Sequence, residues 1–167
     1  MSSRSIGFGA FAGLSGGTVF CLILGMSGLL PLVGLLIGQP TPLASYLLHM
    51  VTSAFIGGLF AALLGRKATC PWSGLRRGLI YGAGWWIIGP VTLVPLLLGD
   101  GLAAHWSGGA LVALLPSLFG HLVFGAVLGM TYGWLRAVTD EAGATACEPP
   151  SFAGLETPRR ASEARDE

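Results

Sequence analysis

Two histidines, His49 and His121, are the residues of this chain best placed by type and spacing to do chemistry. Each interrupts a row of small residues four apart: Ser45, His49, Ser53, Gly57, Ala61, Gly65 in one segment and Ala113, Ser117, His121, Gly125, Gly129, Gly133 in another. Imidazole is the side chain whose ordinary pKa lies nearest neutrality, and it ligates haem and transition metals through a neutral ring nitrogen. A facing pair predicts either axial ligation of haem b or a proton or substrate relay in a small transporter. The plain alternative is a neutral ring hydrogen-bonded to a serine or carbonyl on a neighbouring helix.

A second constellation involves backbone rather than side-chain chemistry. Gly28 and Pro31 fall within one apolar segment, and Trp85, Trp86, Gly89 and Pro90 fall at the matching place in another. Proline removes an intrahelical hydrogen bond and disfavours helix in the residue before it. Interrupted spans at corresponding places in two halves point to a substrate site near the bilayer midplane, which would make the chain a small permease. A kink that relieves excess helix length is the simpler reading. Trp85 and Trp86 lie away from the interfaces where tryptophan anchors, so they read as pocket wall or bundle filling.

Other chemistry is missing from the sequence. There are no paired carboxylates, phosphate loop, Ser/His/Asp set or zinc-protease motif, and Asp100 with His105 in one loop is a weak pair, so the reading leans away from an enzyme. Cys21, Cys70 and Cys147 have no zinc spacing and imply no disulfide framework. The net charge of +1 offers no footprint for nucleic acid.

The elements that must position these residues follow from charge. Sixty-one residues between Arg4 and Arg66 contain no Lys, Arg, Asp or Glu, and from Gly78 to Leu135 only Asp100 is charged. An unpaired charge is expensive to take out of water, so stretches of this length belong in hydrocarbon. Four apolar segments, about 7–37, 43–64, 78–98 and 111–135, each reach the roughly 20 residues a spanning helix needs. Period-2 alternation is absent, which excludes a barrel. The first segment exceeds a signal-peptide core and reads as a retained signal-anchor.

Arg66, Lys67, Arg76 and Arg77 crowd the middle loop, Arg4 precedes the first span and Arg136 closes the last. The positive-inside bias therefore predicts both termini and the middle loop in the cytoplasm. Trp72 and Trp134 then fall at the inner interface and Trp106 at the outer. Residues 137–167, rich in charge and proline, read as a disordered cytoplasmic tail.

The chain also matches itself. A shift of 61 gives nine identities between Gly13 and Gly38, among them Gly13/Gly74, Gly17/Gly78 and Gly28/Gly89. A shift of 72 aligns Leu43, Ser45, His49, Val51, Ala54, Gly57 and Leu63 with Leu115, Ser117, His121, Val123, Ala126, Gly129 and Leu135. The expectation is an all-α four-helix transmembrane domain over residues 1–136, built from two parallel hairpins (repeat 1 about 7–65, repeat 2 about 74–136). Small residues four apart, such as Gly9, Gly13, Gly17 and Gly74, Gly78, Gly82, let helix backbones approach closely and would serve internal packing or self-association.

The stretch from Tyr81 to Gly99 (YGAGWWIIGPVTLVPLLLG), followed by Phe119-Gly120-His121, resembles small four-span bacterial inner-membrane proteins of an uncharacterised family. The resemblance implies a bacterial cytoplasmic membrane and carries no chemistry. The sequence thus points to a non-catalytic accessory or assembly component, with partners in the bilayer: a homo-oligomer or a larger membrane complex. A haem b-binding redox subunit and a small permease are the alternatives.

Overall fold

The computed structural model describes residues 3–101 and 104–139. These residues form helices α1 (Ser3–Met26), α2 (Leu30–Leu35), α3 (Pro42–Leu64) and α4 (Pro71–Trp86). A π-helical segment (Ile87–Leu93) and α5 (Val94–Leu98) continue α4, and α6 (Gly108–Ala113) and α7 (Leu115–Thr139) follow. Four helical stretches are long and apolar enough to cross a bilayer: α1, α3, α4 through α5, and α7. The protein is an all-α, multi-pass membrane protein, and its lipid-facing surface carries exposed residues such as Leu22, Val51, Phe55 and Ile80.

Local chemistry sets where these helices start and stop. Pro42 and Pro71 stand in the first turns of α3 and α4, where a missing N–H costs nothing. Thr41 caps α3 by accepting a hydrogen bond from the Ala44 N–H. One device ends three helices: a glycine in the left-handed region, followed by a backbone bond reaching five residues back. Gly28 (φ +70°) precedes the Leu29 N–H bond to the Leu24 carbonyl. Gly38 (φ +68°) precedes Gln39 to Gly34, and Gly99 (φ +89°) precedes Asp100 to Pro95.

The first apolar segment is therefore not one helix. It stops at Met26 after 24 residues, about 36 Å of helix, and α2 folds back to pack on α3. The third span starts at Pro71 rather than Gly78, the fourth is divided at Leu114, and α7 continues to Thr139, past the expected boundary at 136. Residues 140–167, the rest of the expected tail, lie outside the described residues.

Helix α1 packs against both α3 and α7, and α4 packs against α7. The glycine rows make these interfaces. A Cβ on Gly13 would meet the Ser53 carbonyl, one on Gly74 the Gly129 carbonyl, and one on Gly78 the Gly125 carbonyl. The seams are thus used inside the monomer. Between them lies a core of Ala12, Phe20, Phe60, Phe124, Leu128 and Tyr132.

Helices α3 and α4 are joined differently. The Tyr81 hydroxyl donates to the Ile56 carbonyl at 2.8 Å, and its ring stands edge-on to Phe60.

Charge divides the two ends of the bundle. The start of α1, the α3–α4 loop and the end of α7 come together where the Ser5 and Tyr132 hydroxyls hydrogen-bond at 2.7 Å and Gly133 abuts the Cys70 carbonyl. All six Lys and Arg of the described residues (Arg4, Arg66, Lys67, Arg76, Arg77, Arg136) lie toward this end, whereas Asp100, their one acid, lies at the other.

Candidate functional site

His49 on α3 and His121 on α7 both lie in the half of the bundle remote from the basic residues. They do not face each other across an open space. Helix α1 stands between α3 and α7, and Phe20 of α1 packs edge-on against both imidazoles, with ring centroids 5.3 Å from His49 and 4.9 Å from His121. Gly120, one residue before His121, lets the Phe20 ring in: a Cβ there would overlap it. A porphyrin ligated by both histidines needs the volume this phenyl ring fills. The residues as arranged do not fit a haem.

The two imidazoles differ in their bonding. His121 Nδ1 donates to the Ser117 carbonyl of its own helix at 2.8 Å, which fixes the tautomer and leaves Nε2 as an acceptor. That Nε2 points toward the π-helical segment, 4.0 Å from where a Cβ on Gly89 would sit. Nε2 of His49 is buried and has no hydrogen-bond partner. The plain expectation from the sequence, a carbonyl on a neighbouring helix, is met in part: His49 interacts with the Gly17 carbonyl of α1, whereas His121 bonds within its own helix.

The two proline-containing stretches have separate fates. Gly28 is exposed with open space around it, and Pro31 sits in the first turn of α2, which docks on α3. Gly89 and Pro90 stay within a continuous span that widens to π geometry, and the main neighbours of that segment are α4 and α5. The Gly28–Pro31 stretch thus packs chiefly on α3, and the Gly89–Pro90 stretch continues α4. Trp86 Nε1 donates to the Leu114 carbonyl at 3.2 Å, and Trp85 packs edge-on to Tyr81, so both tryptophans fill the bundle.

The π geometry has a local cause. The Val94 N–H bonds the Gly89 carbonyl, five residues back, so the next carbonyl, that of Pro90, would look to residue 95. Residue 95 is proline and has no N–H. His105 takes its place: its Nδ1–H donates to the Pro90 carbonyl at 2.9 Å. Reading the sequence missed this role of His105, although Pro90 and Pro95 five apart were the signal. Phe20 was missed as well; it is the apolar residue three positions after Gly17, on the face that packs.

Near the basic end, Cys70 precedes α4. Burial raises its thiol pKa, but hydrogen bonding from Ser73 and Trp72 and the charge of Arg77 outweigh that and hold it below the ordinary 9.0. Arg77 itself donates to the Ser73 carbonyl at 2.9 Å.

Compared with protein-family models, curated proteins and solved structures, the chain finds no match.

Proposed function

We propose that this chain is a non-catalytic accessory or assembly component of a bacterial cytoplasmic membrane, with its basic end in the cytoplasm. The observation that carries the reading is how its intramembrane polar groups are used. His121, Trp86 and Tyr81 each donate to a backbone carbonyl, two of them between helices, so they hold helices in place. The segregation of Lys and Arg to one end supports the orientation.

Contact register supports an internal duplication. Gly13 meets Gly57 in the first hairpin, and Gly74 (13 + 61) meets Gly129 (57 + 72) in the second. Gly17 with Ser53 answers to Gly78 with Gly125 in the same way. A larger complex would have to use faces other than the glycine seams, which are already occupied. Gentle extraction from native membranes followed by native electrophoresis tests the reading. Migration of the chain within a larger complex is the expected result; migration alone, without partners, contradicts it.

One observation favours a second reading, a small permease. The unpartnered Nε2 of His49 and the acceptor Nε2 of His121 belong to rings that both pack edge-on to Phe20, and that of His121 faces a π-helical segment, a geometry frequent at functional sites. Solute flux into liposomes above that of protein-free vesicles, lost on replacing both histidines, would establish it in place of the first.

A further inference from the structure

The third span is the least covered of the four. Only 17% of its most apolar window is buried within the bundle, against 39% for α1 and for α7. Along α4, Trp72, Arg76, Ile80, Ala83 and the following Ile87 fall at spacings of four, four, three and four. At 100° per residue they occupy one stripe less than a quarter-turn wide. Trp72, Arg76, Ile80 and Ile87 are all exposed, and Gly84 beside the stripe has no atom within 4 Å of a Cβ position. Arg76 thus stands on the outward face of a membrane helix, between one and two turns inside its end, in line with the apolar residues Ile80, Ala83 and Ile87.

Charge around it is of one sign. Arg77, Arg66 and Lys67 lie at the same end of the bundle, and no acid of the described residues is there. Its neighbour Arg77 is engaged with the Ser73 carbonyl, which leaves Arg76 as the outward cation of the pair. Exposed Trp72, one turn nearer the end, marks the depth of the headgroup layer. A ligand matching this surface carries an anion at headgroup depth and a long apolar chain directly below it.

We propose that the Trp72–Arg76–Ile80–Ile87 stripe binds an anionic phospholipid, its phosphate at Arg76 and an acyl chain along Ile80, Ala83 and Ile87. This goes beyond the accessory role and needs only that the helix spans a bilayer, so it stands or falls independently of orientation and partners. A cation at the surface favours an anionic lipid over a zwitterionic one by about fivefold.

The test uses the full chain with Trp85, Trp86, Trp106 and Trp134 replaced by Phe, so that Trp72 alone fluoresces. It is reconstituted into phosphatidylcholine vesicles containing a minority of phosphatidylglycerol, with brominated acyl chains on one lipid or the other. Bromine on phosphatidylglycerol should quench Trp72 about fivefold more per mole than bromine on phosphatidylcholine. Arg76→Gln should bring the two to parity, and Arg76→Lys should preserve the preference. An independent measurement is native mass spectrometry of the unmodified protein, in which R76Q should retain less phosphatidylglycerol than wild type. Equal quenching by both lipids in the Arg76 protein overturns the proposal, as does a preference that survives R76Q. So does a preference that appears only when the chain is cut after Thr139, because the acidic residues beyond it would then be the occupant.

Discussion

Gly78 of α4 and Gly125 of α7 lie so close that a Cβ on either would overlap the other's carbonyl oxygen. In lipid, helices gain little from burying apolar surface against each other, so backbone proximity of this kind supplies the packing contact that holds the second hairpin together. Gly78→Ala should destabilise the protein by about 1–3 kcal/mol, the usual cost of overpacking. Gly84→Ala, where a Cβ meets nothing within 4 Å, should be neutral or stabilise by up to about 1 kcal/mol through helix propensity. Thermal unfolding of the detergent-purified variants compares them, and equal melting temperatures would remove the seam from the account.

His105 and Pro95 form a coupled pair through the Pro90 carbonyl. His105→Ala should cost about 1 kcal/mol and speed amide exchange in α5, because the carbonyl loses its donor. Pro95→Ala restores an N–H at the position the π geometry needs. On that background, His105→Ala should cost markedly less. Additive losses in the double-mutant cycle would mean that the two donors do not compete for one acceptor.

His49 carries a buried polar atom without a partner. Its replacement by Leu removes an unsatisfied group that costs about 1–3 kcal/mol but also gives up the ring's interaction with the Gly17 carbonyl, so the net change should be small. His121→Leu forfeits a bond to Ser117 and should be the more damaging of the two. A Tm series on both variants tests this, and a large loss at His49 would point to a partner or ligand that the ring engages.

Cys70 sets a pH dependence with a defined sign. Its folded-state thiol pKa lies below 9.0, so the folded protein releases the proton before the unfolded chain does. The stabilisation is complete above 9.0 and is lost as pH falls through the folded value. Thiolate absorbance of wild type minus Cys70→Ser should reach its midpoint below 9.0; a midpoint at or above it would contradict the influence of Ser73 and Arg77.

The spans were legible because charge is excluded from hydrocarbon, a requirement written into every residue of a segment. The two proline stretches were not distinguishable, although they fold differently. Gly28 adopts a positive φ and turns the chain, whereas Gly89 stays helical and only the hydrogen-bond ladder widens. The unequal closeness of α1–α7 and α3–α4 was present in the sequence but unread. Gly16 and Gly120, which let α1 and α7 meet, correspond under the two shifts to Arg77 (16 + 61) and Leu48 (120 − 72), so α3 and α4 lack the small residues that allow the same approach. Where a polar side chain finds an acceptor on another helix depends on helix rotation, so the bonds of Tyr81 and Trp86 could not be read from spacing.

The central claim is that four spans place the basic end of the bundle on one side of a membrane and Asp100 on the other. Single cysteines at Lys67 and Asp100, in a chain whose native cysteines are replaced by serine, test it with a membrane-impermeant maleimide on intact bacterial cells. The account predicts labelling of Asp100→Cys in intact cells and of Lys67→Cys only after the membrane is opened. Labelling of both positions from the same side would contradict it.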